Sequence, residues 1–388
     1  MSYNRKTIVP ALFVLLLVAV VGNAAVGSAD ISLLTAAKIA YMGTLEWVRQ
    51  IILNSLYSIA GLFDQKFISW IGYIFNSMAV HLEQSRIWDV LSITRTWETK
   101  YDVIVMQIRI PRALLAALVG AALSTAGCAM QALLKNPMAD PYIIGMSSGA
   151  SLGAALAMLI GLHLQFTAFL FSLVTIFLVY NIAKIGRSVP VDTLLLAGIA
   201  VAAFLSAVTS FLIYINESRE HVIIWMMGGF WSPSWEKVFV SGIMVLVGTL
   251  MLYRHAWSLN VLLLGEEQAQ YLGINIERVK VYILVFASLI TGAAVAVSGL
   301  IGFVGLIIPH IMRMIVGPDH RVLFPASTLA GAIFLVLCDT LSKTIVTILN
   351  VLGLQASITT LPVGIITAFF GAPFFIYLLR KRRKSIDA

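Results

Sequence analysis

Residues 109–153 read RIPRALLAALVGAALSTAGCAMQALLKNPMADPYIIGMSSGASLG. The run from Pro111 to Leu133 has the length of a helix that crosses hydrocarbon, about 20 residues for roughly 30 Å. Pro111 suits a first helical turn, where its missing N–H is no loss. Arg109 and Arg112, three apart, share one face of that helix at its outer mouth. Asn136-Pro137 and Pro141 then break the chain into a short polar loop. Beyond it, Gly145, Gly149 and Gly153 recur at four-residue intervals, which lets another helix approach closely. Two apolar helices joined by a tight loop are the repeating unit of a helical membrane protein.

The rest of the chain extends that unit. Of 388 residues 60% are hydrophobic and 11% charged, against a charged share of about 25% in soluble domains, which excludes an ordinary soluble enzyme. Mean hydropathy is +0.95. Apolar runs near 8–27, 111–133, 143–161, 164–182, 192–214, 236–253, 279–298, 300–316, 322–346 and 361–379 predict an all-α, polytopic transmembrane bundle of ten spans. Ala24, Ala25 and Ala29 give the first run the look of a cleavable signal, but it is read as an uncleaved span. The chain divides into 1–27 (tail and first helix), 28–107 (an amphipathic outer segment) and 108–388 (the bundle, with an inner loop at 260–280).

Charge checks the count without any motif. The net charge of +8 suggests nucleic acid until it is located. With ten spans the inner segments carry the whole excess, including Arg5, Lys6 and the tail Arg380–Lys384, while the outer segments sum to about zero. Both termini are therefore expected on the cytoplasmic side, and no nucleic-acid partner is expected. Cys128 and Cys338 lie inside apolar runs, so neither a disulfide framework nor a cysteine metal site is expected.

Segment 28–107 departs from the short-loop pattern. Asp30, Glu46, Asp64, Glu83, Asp89, Glu98 and Asp102 alternate with Lys38, Arg49, Lys66, Arg86, Arg95 and Lys100. Leu45, Val48, Ile52 and Leu56, then Phe67, Ile71, Ile74 and Met78, recur at helical spacing, and four tryptophans suit the headgroup level. Helices lying on the outer leaflet or packed on the bundle are expected; a hairpin of two further spans preserves every later direction equally well. Gly120-Ala121-Ala122 with Gly127, and Gly292-Ala293-Ala294 with Gly299, form an internal echo that fits an inverted repeat and fits equally the frequency of Gly and Ala in membrane helices.

Absent motifs narrow the function. There is no G-x-x-x-x-G-K-[ST] to cradle a nucleotide and no H-E-x-x-H, and the six histidines lack metal-ligand spacing. No chain of mid-membrane carboxylates of the kind an ion-driven carrier uses is present. Uphill movement would then draw its energy from another subunit. The alternative is a self-sufficient ion-coupled secondary transporter or channel.

From about residue 104 onward the sequence resembles the permease subunits of ATP-binding-cassette importers for iron–siderophore, haem and cobalamin, the FecCD type. The resemblance rests on the R-x-P-R start, Gln131 to Pro141, Leu195–Gly198, Trp225-Met226-Met227-Gly228-Gly229 and Leu264-Gly265-Glu266 with Ala269 and Leu272-Gly273. It continues through Gly302–His310, Asp319-His320-Arg321, Leu361–Ile365 and Gly371-Ala372-Pro373. It implies a homodimer in membrane lipid, two ATPase subunits below, a solute-binding protein above, and no catalytic residue or cofactor in this chain, ATP and Mg being held by the ATPase.

The resemblance also implies roles. Gly265, Glu266, Ala269, Leu272 and Gly273 stand where the family contacts its ATPase. Arg109, Arg112 and Lys343 match positions that pair with acidic residues of the binding protein, with Lys343 replacing the usual Arg and so lacking its planar fork. Asp339, one turn earlier, offers Lys343 a local i,i+4 partner instead, and interfacial snorkelling is the plain reading of all three. Asn136, Met138, Val191 and Asp192 match a cytoplasmic gate, against ordinary loop chemistry with Asp192 as a helix cap. Thr359-Thr360 replaces an acidic residue usual in the family. His310 reads as a packing histidine rather than a ligand.

Overall fold

The computed structural model describes residues 5–27, 29, 31–62, 69–85, 87–186, 189–215, 219–352 and 360–384. Asp30, Asp64, Lys66, Phe67, Arg86 and Thr359 lie outside them. The chain begins with α1 (Arg5–Ala25), α2 (Leu33–Leu62), α3 (Ser69–Glu83), α4 (Ile87–Leu91) and α5 (Thr99–Val103). A π-helical turn (Ile104–Arg109) carries α5 directly into α6 (Ile110–Leu133), and a 3-10 turn (Pro141–Ile144) precedes α7 (Met146–Ile160). There follow α8 (Leu164–Ala183), α9 (Val191–Ile215), α10 (Arg219–Met226), α11 (Trp235–Arg254), α12 (Ala256–Leu262) and α13 (Glu266–Tyr271). The chain closes with α14 (Ile276–Ser298), α15 (Val304–Val316), α16 (His320–Val351) and α17 (Val363–Lys384).

All ten expected runs are helical. Among the described residues seven helices are long and apolar enough to cross a membrane, and Met146–Ile160, Val304–Val316 and Val363–Leu378 are shorter apolar helices. The chain is thus an all-α multi-pass membrane protein. With 15 and 13 residues, α7 and α15 rise only about 22 and 20 Å, short of the hydrocarbon thickness. Irregular backbone continues each of them, the 3-10 turn before α7 and the segment around Phe303, at φ +69°, before α15.

Burial sorts the spans. The spans containing α6, α14 and α16 are 78%, 67% and 67% buried within the chain, against 17% for α1, so the first three form the centre and α1 lines the periphery. Lipid tails are as apolar as leucine, so helices in a membrane associate through close contact and hydrogen bonds rather than through hydrophobic exclusion. The α6–α16 seam uses both. An ideal Cβ on Gly120 would sit 2.2 Å from the Gly331 carbonyl oxygen, so two backbones touch where neither residue has a side chain. Beside that crossing Ser124 Oγ donates to Ser327 O at 2.8 Å, and the Thr125 and Thr328 hydroxyls pair at 2.7 Å. The two halves of the sequence echo meet different neighbours: Gly120 and Gly127 abut Gly331 and Gly305, whereas Gly292 faces Phe169 and Ser172.

The outer segment folds as a helical pair on α1. Tyr57 Oη on α2 donates to Glu83 Oε2 on α3 at 2.8 Å, and α2 also packs on the π-helical turn. Neither α2 nor α3 is among the helices long and apolar enough to span. Ala36, Ile39 and Leu53 are the buried positions of α2, while Val48 and Ile52 of the expected apolar stripe stand exposed. The contacts with α1, α3 and the π-helical turn select a different face from the one the stripe marks, and leave part of that stripe turned outward.

Candidate functional site

The 260–280 segment, expected at the inner end, carries the end of α12 and the short helix α13 and is not a plain connection. Gly265 at φ +129° and Gly273 at φ +78° bracket α13, in backbone conformations that side-chain-bearing residues rarely adopt. Ala269, within α13, is fully buried, so it seats the helix on the rest of the chain instead of standing on the open surface beside the other expected contact residues. Tyr271 is 90% exposed, with Leu264 and Leu272 also exposed beside it. Of the expected contact residues, Leu272 and Gly273 are exposed and Glu266 is accessible; Tyr271, which sequence reasoning passed over, is the most prominent. No helical periodicity links it to Leu264, because Gly265 interrupts the backbone between them.

This unit is fastened at both ends. Asn260 on α12 donates from Nδ2 to Asp319 Oδ1 at 2.7 Å, and its Oδ1 accepts from His320 N at 2.9 Å. The Arg321 N–H bonds to Asp319, and with the Asn260 amide it holds that carboxyl below the usual range. Replacing Asn260 with Ala is expected to cost about 1–3 kcal/mol, because it strips partners from the start of α16; a thermal melt of the purified protein measures it. At the other end Lys280 Nζ lies 3.2 Å from Glu266 Oε1 and 3.1 Å from Glu277 Oε1.

The expected gate residues occupy the loop after α6 and the first turn of α9. Asn136 is exposed, and its Oδ1 accepts from Met138 N at 3.0 Å, closing the turn that follows Lys135 at φ +50°. Asp140 Oδ1 accepts from Tyr142 N at 2.9 Å and caps the 3-10 turn. Gln131 ties the start of this loop to α15, donating to Gly305 O and Leu306 O and accepting from Arg313. In the first turn of α9 Val191 is partly buried on the core and Asp192 is exposed, where a negative charge suits the helix dipole. Leu133, Leu134, Val189, Val191, Leu194, Lys280 and Leu284 close around a cavity of about 10 Å³, room for one water at most. Val191 therefore meets the inner end of α6; Asn136, Met138 and Asp192 line no part of that junction.

At the outer end the three expected docking residues are turned into the chain, contrary to their expected place at an open mouth. Arg109 is 6% exposed and donates to the carbonyls of Ala24, Ala25 and Ala29. The Ala24 and Ala25 carbonyls end α1, where a cation satisfies acceptors that have no partner in the helix, and Ala29 lies in the chain just beyond it. Arg112 grips Asp339 from α6, with Nη2 2.8 Å and Nε 2.9 Å from Oδ1. Lys343 pairs with Asp339 Oδ2 at 3.2 Å and donates to Asn23 Oδ1 at 2.8 Å. Asn23 Nδ2 completes the group by donating to Asp339 Oδ2 at 3.0 Å. The i,i+4 partner offered by the sequence is thus formed, and α1, α6 and α16 are pinned together through one carboxylate.

Among the described residues no group of three or more His, Cys, Asp or Glu side chains converges to hold a metal ion. Both cysteines are buried free thiols.

Comparison with known proteins places this architecture. The model of the FecCD transport family matches residues 68–381. The cobalamin import system permease protein BtuC of Halobacterium salinarum is 46% identical over 287 residues, covering 72% of this chain and 74% of that protein. The hemin transport system permease protein HmuU of Yersinia pestis is 35% identical over 321 residues, covering 80% and 91%. A solved inward-facing metal-chelate type ABC transporter aligns with 97% of this chain and 100% of its own, at 26% identity and a TM-score of 0.71.

Proposed function

The chain belongs to the FecCD transport family, and from that premise we propose how this permease subunit of an ATP-binding-cassette importer works and what it carries. It is a transport protein and not an enzyme. Two copies form a homodimer in a prokaryotic plasma membrane, with an ATPase subunit under each and a solute-binding protein above. ATP and Mg are bound by the ATPases. The cargo is a bulky chelate or macrocycle of the class named for the relatives: cobalamin, haem or an iron chelate. Loops 133–140 and 189–192, which hold Asn136, Met138, Val191 and Asp192, form the inner gate. The α2–α3 pair rests its exposed Val48 and Ile52 against the outer leaflet. With Arg109, Arg112 and Lys343 engaged internally, binding-protein docking falls to the outer segments 87–103 and 219–236.

The observation that carries the coupling half of this reading is α13, a short helix held on buried Ala269 with Tyr271 and Leu272 exposed beyond it. Exposed aromatic and aliphatic side chains on a braced helix suit a partner's cleft. Co-expressed with its ATPase and reconstituted in lipid nanodiscs, the chain should support ATP hydrolysis stimulated by loaded binding protein. Replacing Tyr271 with Ala together with Leu272→Asp should weaken ATPase retention about tenfold or more, as expected for loss of two central contacts. Undiminished co-purification in that double variant would remove α13 from the ATPase contact.

A further inference from the structure

Lys280 stands where the 260–280 segment meets the inner gate, and no role considered so far uses it. Its side chain is only 8% exposed, an unusual place for an ammonium. Its three donors have acceptors on two separate elements: Glu266 Oε1, in the first residue of α13, at 3.2 Å, and Glu277 Oε1, in the first turn of α14, at 3.1 Å. The second oxygen of Glu277 continues the line, because Oε2 accepts from the backbone N–H of Val189 at 3.2 Å. Val189 is two residues before α9, and it packs with Val191, Leu194, Leu133 and Leu134 around the stem of Lys280. One side chain therefore touches the α13 lever through its charge and the closed inner junction through its methylenes.

We propose that Lys280 is the positioning residue that couples α13 to the inner end of α9, so that displacement of α13 is delivered to segment 189–192 through Glu266, Lys280, Glu277 and the Val189 amide. This rests on the reading of α13 as the ATPase contact. The mechanical argument is that α13 is bounded by two glycines, where its backbone can turn while Ala269 keeps it seated; its charged tie to α14 makes such motion pull on something. A solvent-exposed ion pair would part at little cost, whereas one with its cation buried resists separation, since the stranded charge stays desolvated. Glu277 then holds two partners with its two oxygens and converts a pull on Lys280 into a pull on backbone, which cannot change rotamer to relieve it.

The test uses the full assembly of permease, ATPase and binding protein in nanodiscs and proteoliposomes. Lys280→Met preserves the stem that packs on Leu133 and Leu134 and removes the charge. It is expected to leave ATPase co-purification intact and to raise ATP hydrolysed per substrate transported about tenfold, in the range of a typical coupling free energy. Lys280→Arg should restore most of that ratio. Glu277→Gln keeps an acceptor for Val189 N–H while removing the charge that faces Lys280, and should raise the ratio about threefold. Spin labels at Asp192→Cys and at Gln270→Cys, an exposed position of α13 outside the contact residues, supply a readout that mere destabilisation does not move. In the otherwise unaltered chain both report displacement on ATP binding; with Lys280→Met only the label at 270 should. A normal transport ratio in Lys280→Met, or, where that variant does not assemble, in Glu277→Gln, overturns the relay. Failure of the unaltered chain to retain the ATPase would instead refute the reading of α13, so the two failures are distinguishable.

Discussion

Replacing Asp339 with Ala is expected to cost about 3–5 kcal/mol, more than most single substitutions in the chain. The carboxylate has no exposed surface, and two cations from different helices converge on it, Arg112 from α6 and Lys343 from α16. Removing it leaves Arg112 without its carboxylate partner in a desolvated place, leaves Lys343 to the Asn23 oxygens, and takes from Asn23 Nδ2 one of its acceptors on α16. The loss should appear as a drop in the thermal midpoint of the purified permease and as low recovery from membranes. A second variant separates ion pairing from packing. Arg112→Met, Asp339→Leu and Lys343→Met together replace the whole cluster with apolar volume, and stability should return to within about 1 kcal/mol of the starting protein. If Asp339→Ala alone leaves the midpoint unchanged, the cluster is not what fastens α1, α6 and α16. Full stability in the single variant would also reopen the case for these basic residues as free docking groups.

Gly120→Val is expected to be comparably damaging for a different reason. The added Cβ alone would lie 2.2 Å from the carbonyl oxygen of Gly331 and 2.8 Å from its carbon, both backbone atoms, so no rotamer change makes room. The helices α6 and α16 must part. Parting them weakens the hydrogen bond from Ser124 to Ser327 and the hydroxyl pair of Thr125 and Thr328. Overpacking usually costs about 1–3 kcal/mol, and a helix–helix seam with no slack belongs at or above the top of that range. Gly22→Ala is the matched control: its Cβ would meet nothing within 4 Å, and a shift of at most about 0.5 kcal/mol is expected there. Equal melting temperatures for the two variants would show that the crossing is not close-packed in the membrane.

Several features of the site were legible before any fold was known, and particular residues show where legibility stops. Glycine at 265 and 273 around a run of helix formers announces a short braced helix, because the signal is local. The i,i+4 spacing of Asp339 and Lys343 likewise announces a pair. Arg112 does not announce Asp339, which is 227 residues away, and an arginine at the start of a span looks the same whether it faces a partner protein or the next helix. Ala269 shows the same limit, since a small residue in a contact motif serves equally as surface and as foundation. Val189, the far end of the Lys280 line, receives its bond through a backbone N–H and so leaves no trace in residue type.

What the amino-acid order determined by itself is the membrane architecture: ten apolar segments and the placing of the polar breaks, with the distribution of basic residues setting the expected direction. These follow from hydrocarbon thickness and from charge, both of which act on each segment independently of its neighbours. Only the tertiary structure decided which spans form the centre, which arginines are occupied, and that Lys280 lies between α13 and the start of α9. Inside a bilayer every long span is apolar on all sides, so composition no longer distinguishes a face toward lipid from a face toward another helix. Close approach of backbones and the pairing of distant polar groups make that distinction, and both exist only once the helices are assembled.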